Sequence, residues 1–199
     1  MVEGGGSVRY DSTSSSDIES RTRELLGRGD RKGALTVLMK GYGDDIYGFC
    51  QNVVRCKELA KDLLQTTFMQ AYDVLGQIER LSYRAWLFSI AHNRCLDALK
   101  SEGRRMRLIE PRDKLPDVPE EILSSEERLI AASQVGHLAE CLGELDAEVR
   151  IAIILRYQEG YTYPEISRIC HERPATLQAR VTRAFPHLLA KLISRGVWP

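Results

Sequence analysis

Along most of the chain, apolar residues recur every three or four positions, the spacing that places them on one face of an α-helix. Asp30 is a suitable N-cap for the first long segment of this kind, which continues to about Val53. A second segment covers Leu59–Leu75 and is interrupted by Gly76, and a third extends over about Ser82–Leu99. No segment alternates apolar and polar residues as a half-buried strand would, so the pattern predicts an all-α fold.

Serine, glycine and proline mark the segments that the helical pattern leaves out. The stretch 1–17 contains three consecutive glycines and three consecutive serines with little to bury, which predicts a disordered tail. The stretch 108–127 contains three prolines among acidic residues. Because proline blocks helix propagation and the charges favour solvent, we predict a flexible acidic linker there. The chain is therefore predicted to form two small helical domains, 18–107 and 128–199.

The second predicted domain contains a helix-turn-helix pattern. A helix to about Leu142 and another over 146–157 are followed by a break at Gly160. Thr162 and Glu165 have the spacing of a capping box, the next break falls at 170–173, and a proline then opens a last helix. That geometry is typical of DNA-binding helix pairs, although an ordinary helical hairpin with a polar outer face fits the same pattern. The polar residues at the start and outer face of the last helix are Arg173, Thr176, Gln178, Arg180, Thr182 and Arg183.

Charge is unevenly distributed, although 28 basic and 28 acidic residues give a net charge of zero. The segment 80–107 has 7 basic and 2 acidic residues, and 165–195 has 6 basic and 2 acidic. Between them, 108–127 has 2 basic and 7 acidic residues. Clustered cations on two segments fit nucleic-acid binding, and a solvated helix face is the alternative that charge alone leaves open.

The first of these basic segments combines aromatic, amide and cationic side chains. A short polar loop at Gln77–Arg80 precedes a helix whose aromatic residues Trp86 and Phe88 are expected to face inward. Such groups suit unstacked single-stranded nucleic acid, while a plain aromatic core with solvated arginines is the alternative. The residues predicted on the outer face are Arg84, Asn93, Arg94, Asp97 and Lys100.

Two stretches of the chain resemble a known family. The run LAKDLLQTTFMQAY at 59–72, with the Trp86-Leu87-Phe88 helix and its Asn93 and Asp97, resembles region 2 of bacterial RNA polymerase sigma factors of the extracytoplasmic-function group. The run LGELDAEVRIAIILRYQEGYTYPEISRI at 142–169 resembles region 4 of the same family. The resemblance implies an alternative sigma factor that recognises −10 and −35 promoter elements.

The family resemblance implies three binding surfaces and several partners. The partners are the clamp and flap of core RNA polymerase, promoter DNA and an anti-sigma factor, and the linker is expected to thread toward the polymerase cleft. The residues matching the clamp-docking helix are Asp62, Leu63, Gln65 and Phe68. Those matching the −10 surface are Gln77, Arg80, Asn93, Asp97, Lys100 and Arg104. Those matching the −35 reader, on the helix Pro174–Phe185, are Arg173, Thr176, Gln178, Arg180 and Arg183.

The chain departs from the family pattern in its last helix pair. His171 stands where the family usually has a turn glycine, and we expect it to adopt a positive φ. Gln178 stands where a lysine is usual, and Pro186 is expected to kink or end the last helix. These departures leave two alternatives open: a sigma-like adaptor without full promoter reading, and a helix-turn-helix regulator that acts without polymerase.

Metal and catalytic patterns are weak. The five cysteines are scattered in a chain without an export signal, which favours reduced thiols and a cytoplasmic location. Of the His and Cys pairs, His92 and Cys95 have zinc-like spacing, but a four-ligand site needs two such pairs. The sequence has neither a phosphate-binding glycine loop nor a nucleophile elbow. We therefore expect no metal, cofactor, catalytic activity, small-molecule substrate or membrane insertion.

Overall fold

The computed structural model describes residues 12–76, 82–106 and 136–196. Every regular element in this part of the chain is helical, which confirms the predicted all-α class. In chain order the elements are α1 (Ser12–Gly27), α2 (Arg31–Val54), α3 (Lys57–Val74), α4 (Tyr83–Met106), α5 (described over 136–143), α6 (Ala147–Ile153), a π-helical turn (Ile154–Gln158), α7 (Tyr163–Cys170) and α8 (Pro174–Ser194).

The first four helices pack around an aromatic and aliphatic core. Asp30 caps α2 as predicted, because its Oδ1 accepts a hydrogen bond of 2.8 Å from the backbone N–H of Gly33. The apolar stripe predicted for α2 is buried, and Phe49 meets Phe88 of α4 edge to face with centroids 5.2 Å apart. The helical period of the sequence therefore located this core correctly.

The N-terminal helix α1 corrects one prediction. It begins at Ser12, so the final residues of the stretch predicted as a disordered tail, 1–17, form its first turns. Ile18 packs against the core, and Thr22 is fully buried with its hydroxyl bonded to the Ile18 carbonyl at 2.7 Å. The sequence analysis predicted no helix here because polar residues outnumber apolar ones along α1.

The last helix pair has the predicted turn geometry. Glu165 accepts hydrogen bonds from the Thr162 backbone N–H at 2.8 Å and hydroxyl at 2.6 Å, and the capping box is complete. His171 ends α7 with φ of 57°, the left-handed conformation expected from its position. The helix α8 continues through Pro186 to Ser194, so of the two expected effects of this proline, ending the helix is wrong, and a kink stays a prediction.

The two helical groups pack directly against each other. Helix α4 contacts α7, and α6 contacts both α2 and α4. The Arg150 guanidinium of α6 donates to the carbonyl of Val53 in the last turn of α2, and also to the carbonyls of Gly143 and Leu145 at 3.0 Å each. The predicted linker 108–127 lies outside the described residues, so its flexibility stays a prediction.

Candidate nucleic-acid interface

The outer face of α8 carries most of the residues predicted to read duplex DNA. Leu177 and Val181 are buried against the rest of the helical group, which turns the opposite side of α8 to solvent. Four of the predicted −35 residues are exposed: Arg173 at the N-cap, Thr176 and Arg183 seven residues apart on one flank of α8, and Gln178 on the other flank. These hydroxyl, amide and guanidinium groups are the donors and acceptors needed for base edges and phosphates.

Arg180 differs from its neighbours because its charge is already paired. Its Nη1 lies 2.9 Å from Glu148 of α6 and 2.7 Å from Glu172 in the turn before α8. To contact DNA, Arg180 would have to exchange two carboxylates for a phosphate or a base. Sequence reasoning missed this pairing because Glu148 is distant in the sequence and becomes a neighbour only in the folded chain.

A second polar face lies on α4. Asn93, Asp97 and Lys100 are exposed and follow one another at steps of four and three residues, so they occupy one side of the helix. Arg104 lies in the last turns of the same helix, where the structure describes the backbone alone. The remaining predicted −10 residues, Gln77 and Arg80, lie outside the described residues.

Of the four residues on α3 that are predicted to bind the polymerase, two lie on the surface and two in the core. Asp62 and Gln65 are exposed and three residues apart, whereas Leu63 and Phe68 are 7% and 3% exposed. Leu63 and Phe68 therefore support this face from beneath. Sequence reasoning missed Met69, which is 60% exposed four residues beyond Gln65 and extends the same face with an adaptable apolar side chain.

The start of α4 is held by a carboxylate that the sequence analysis also missed. Oε1 of Glu19, a buried residue of α1, accepts hydrogen bonds from the backbone N–H groups of Tyr83 at 2.8 Å and Arg84 at 3.2 Å. Ser82 Oγ lies 3.3 Å from the same oxygen. A carboxylate at these N–H groups satisfies donors that a helix start leaves unpaired and complements the helix dipole. Glu19 thus fixes the N-terminal end of the helix that carries Asn93, Asp97 and Lys100.

Arg84 contradicts the prediction that it lies on the outer face of α4. Its side chain is 11% exposed, and its Nη2 lies 2.7 Å from Glu159 and 3.3 Å from Asp45 of α2. The guanidinium carbon also lies 4.9 Å from the ring centroid of Phe88 and 5.0 Å from that of Tyr161. Arg84 is therefore a buried charge enclosed by carboxylates and aromatic rings, with no face free for nucleic acid.

Burial shifts the pKa of two side chains that lie between the helices α1–α4 and the helices α5–α8. Removal from water raises the pKa of the Glu159 carboxyl to about 7, with Arg84 opposing the shift and Asp45 adding to it. Burial lowers the pKa of His92, whose Nδ1 lies 3.1 Å from Asn93 Oδ1. Both shifts have the same physical cause, since both side chains lie where α4 and the second helical group exclude water.

Within the described ranges, the structure contains no group of three or more His, Cys, Asp or Glu side chains arranged to hold a metal ion. The five cysteines are unbridged, and the zinc-like pair His92 and Cys95 is buried in the helical core. Within the same ranges, no helix is both long and apolar enough to cross a bilayer.

Two family models match the chain, and together they cover more than half of it. The model for Sigma-70 region 2 matches residues 38–105, which run from within α2 almost to the end of α4. The model for Sigma-70 region 4 matches residues 137–188, which run from α5 into α8. The exposed polar faces of α3 and α4 lie in the first match, and that of α8 lies in the second.

Curated relatives are similar over most of their length. The ECF RNA polymerase sigma factor SigM of Bacillus subtilis is 29% identical over 156 residues, covering 78% of this chain and 93% of that protein. The RNA polymerase sigma-H factor of Pseudomonas aeruginosa is 27% identical, covering 81% of this chain and 86% of that protein.

Two solved structures share the fold. One is the sigma factor RpoE in complex with the anti-sigma factor NepR from Bartonella quintana, with a TM-score of 0.65 and 25% identity over 77% of this chain and 93% of that one. The other is CnrH in complex with the cytosolic domain of CnrY, with a TM-score of 0.59 and 21% identity over 91% of this chain and 98% of that one.

Proposed function

The chain belongs to the extracytoplasmic-function group of RNA polymerase sigma factors, which direct the polymerase to promoters, and on that premise we propose how its surfaces divide this work. The observation that carries the proposal is the exposure of polar residues on one face of each of three helices. Asp62 and Gln65 on α3, Asn93 and Lys100 on α4, and Gln178 on α8 all face solvent. Buried apolar stripes on the same helices fix these faces outward.

We propose that α3 docks on the polymerase clamp through Asp62 and Gln65, with Met69 adding apolar contact. In a core-binding titration, Asp62→Ala should weaken affinity while the helical content by circular dichroism stays unchanged. Asp44→Ala, which removes an exposed carboxylate on α2, is the matched control and should keep the wild-type affinity. A wild-type affinity in Asp62→Ala would remove this carboxylate from the docking surface.

We propose that α4 holds the melted −10 strand through Asn93, Asp97, Lys100 and Arg104, with Gln77 and Arg80 preceding them. Exposed amide and cationic side chains on one helix face can bind bases and phosphates once the strands have separated. Asn93→Ala should therefore reduce permanganate reactivity of the melted promoter more than it reduces duplex binding. Equal losses in both assays would mean that this face only contacts phosphates.

We propose that α8 reads the −35 element mainly through Gln178, because Arg180 is held by Glu148 and Glu172. Arg173, Thr176 and Arg183 would contribute phosphate contacts. Run-off transcription with purified core polymerase tests the whole assignment. Product should depend on both promoter elements, and activity that survives scrambling of the −35 element would exclude promoter reading by α8.

We also propose an anti-sigma partner, a cytoplasmic location and no catalytic activity of the chain itself. The Bartonella relative was solved with a protein described as an anti-sigma factor, which supports the first of these. Sigma factors as a class act on the polymerase in the cytoplasm and are specificity subunits rather than catalysts, which supports the other two. We propose 18–107 and 128–199 as the domain boundaries, with α1 extending the first domain toward Ser12.

A further inference from the structure

Helices α2 and α4 present a surface that is already occupied by the chain's own region 4. We propose that Arg84, Asp45 and Glu159 form a latch that holds the chain in a closed form, and that this latch must open before one promoter can be bound at both elements. The second half of the proposal rests on the sigma-factor assignment, whereas the latch itself does not.

The first support is the burial of three charged side chains between the two regions. Arg84 and Asp45 belong to the region 2 match, and Glu159 belongs to the region 4 match. Their side chains are 11%, 13% and 3% exposed. The Arg84 guanidinium lies 2.7 Å from Glu159 and 3.3 Å from Asp45. Because replacing one partner of a buried pair leaves the other charge uncompensated, the closed form is sensitive to each of the three side chains.

The second support is the aromatic packing around Arg84. Phe88 of region 2 and Tyr161 of region 4 meet edge to face with centroids 5.5 Å apart, and the guanidinium lies within about 5 Å of both rings. Phe88 is fully buried and Tyr161 is 8% exposed. The two regions therefore exclude water around the latch.

The third support is a pair of polar contacts at the end of α2. The Arg150 guanidinium binds the carbonyl of Val53, where the negative end of the helix dipole favours a cation. Nearby, Asn52 Nδ2 donates to Gln158 Oε1 at 2.8 Å. These two contacts, together with the three side chains of the latch, fix the position of region 4 relative to region 2.

In the closed form, the two DNA-binding faces lie too close together to contact both promoter elements. Centres named −10 and −35 are about 25 base pairs apart, which is about 85 Å of duplex at 3.4 Å per base pair. The helix α8 has 21 residues and spans about 32 Å, and α7, which precedes it by a short turn, packs on α4. The two reading faces therefore cannot reach both elements until α4 and α7 separate.

Breaking the latch should open the chain. Glu159→Lys places a cation against Arg84 in a site without water, while Glu144→Lys makes the same charge change at an exposed pair with Lys191 and Arg195. Small-angle scattering of the full chain should give a larger radius of gyration for Glu159→Lys than for the other two proteins, with helical content unchanged. If the closed form outweighs the open form tenfold in the wild type, the dissociation constant of the free chain for a duplex that carries both promoter elements should fall about tenfold.

Two outcomes of that experiment overturn the proposal. One is a folded Glu159→Lys chain that is as compact as the wild type. The other is an open Glu159→Lys chain whose affinity for the duplex with both promoter elements equals that of the wild type. Failure of the wild-type chain to support any run-off transcription would instead reject the assigned function and leave the scattering result valid.

A locked chain tests the latch without the risk of misfolding. The substitutions Asn52→Cys and Gln158→Cys, in a background with Cys56→Ser and Cys170→Ser, supply two thiols that a short bismaleimide reagent can join across the interface. The locked chain should lose at least tenfold in run-off transcription relative to the Asn52→Cys chain treated with the same reagent. Equal transcription from the locked and control chains would overturn the proposal.

Discussion

The helices α1–α4 and the helices α5–α8 are stabilised by different kinds of interaction. The first group encloses large aromatic residues such as Tyr42, Phe49 and Phe88, all at most 2% exposed. The second relies more on polar contacts, including the Thr162–Glu165 capping box and the carbonyl contacts of Arg150. Its last helix also leaves large apolar side chains partly uncovered: Phe185, Leu189 and Ile193 are 41%, 41% and 49% exposed.

This difference indicates how each region depends on its surroundings. A region with a large enclosed core gains most of its stability from its own burial. A region with short helices and partly exposed apolar side chains gains a larger share from caps and from neighbouring surfaces. We therefore expect the first region to unfold at a higher denaturant concentration than the second, and the following variants test that order.

The largest effect is expected in the aromatic core of the first region. Phe49→Ala removes a fully buried ring that packs on Phe88, which should cost about 3–5 kcal/mol of unfolding free energy. Urea unfolding followed by circular dichroism measures this loss. Met39→Ala, at a residue 48% exposed on the same helix, is the control and should change stability by less than about 0.5 kcal/mol. A similar cost for both would contradict the picture of an enclosed core.

The next effect concerns base reading by the second region. Gln178→Ala should cost about 1–3 kcal/mol at one base pair of the −35 element and relax specificity there, since a side-chain amide can bind adenine through two hydrogen bonds. Binding titrations against single-base variants measure it. Arg183→Ala should instead weaken all sequences alike and reduce the salt slope by about one unit. Full base preference in Gln178→Ala would move the reading role to Arg173 or Thr176.

A smaller effect is expected from pH at the boundary between the two regions. The pKa of Glu159 is about 7 when buried and returns toward 4.5 when exposed, so the closed form binds a proton more tightly. Closure is therefore favoured below pH 7 and weakens as pH rises, and opening should increase roughly tenfold from pH 6 to 8. Of the groups around Glu159, Arg84 and the hydrogen bond from the Gln158 amide lower the pKa of its carboxyl, and the charge of Asp45 raises it.

Scattering or crosslinking across this pH range measures the change, and Glu159→Gln should abolish it. Protonation of the buried His92 at lower pH favours opening instead. The pKa of His92 is lowered in the closed form, which therefore binds a proton at this side chain less tightly than the open form does. Opening that falls from pH 6 to 8 would contradict the assignment of the titration to Glu159.

The smallest effect is expected at the capping box. Thr162→Ala removes the side-chain contacts at the start of α7 and should cost about 1 kcal/mol, confined to the second region. Thr36→Ala is the matched control, since that exposed hydroxyl only bonds a carbonyl within α2 at 2.9 Å. Differential scanning calorimetry should show a lower transition for Thr162→Ala alone. An equal shift in Thr36→Ala would remove the special role of the cap.

Local patterns predicted much of this fold. Apolar spacing located α2, α3 and α4, and short-range signals located the Asp30 cap and the capping box. Each of these depends on residues within one or two helical turns. The sequence therefore contains the relevant information in a short window.

Features that depend on distant partners were not predictable in that way. The helix α1 is largely polar and is stabilised in part by Glu19, whose partners at 82–84 lie more than sixty residues away. Arg84 was expected on the surface because its side chain is charged. Only the folded chain brings Asp45 and Glu159 to it and so allows its burial. The helix α8 passes through Pro186, and Leu188 two residues later is buried on the core, a tertiary contact that the local pattern does not reveal.

The π-helical turn at Ile154–Gln158 has a consequence for how this chain tolerates insertions and deletions. Such a turn accommodates one residue more than an α-helix would, and each residue of an α-helix advances the direction of its side chain by about 100°. Deleting one residue within this turn would remove the extra residue that the turn absorbs, so Glu159 would keep nearly its present direction. Deleting one residue of the regular helix α6 would instead rotate Glu159 by about 100° away from Arg84. The π-helical turn is therefore the place in this helix where the chain can lose a residue without turning region 4 relative to region 2.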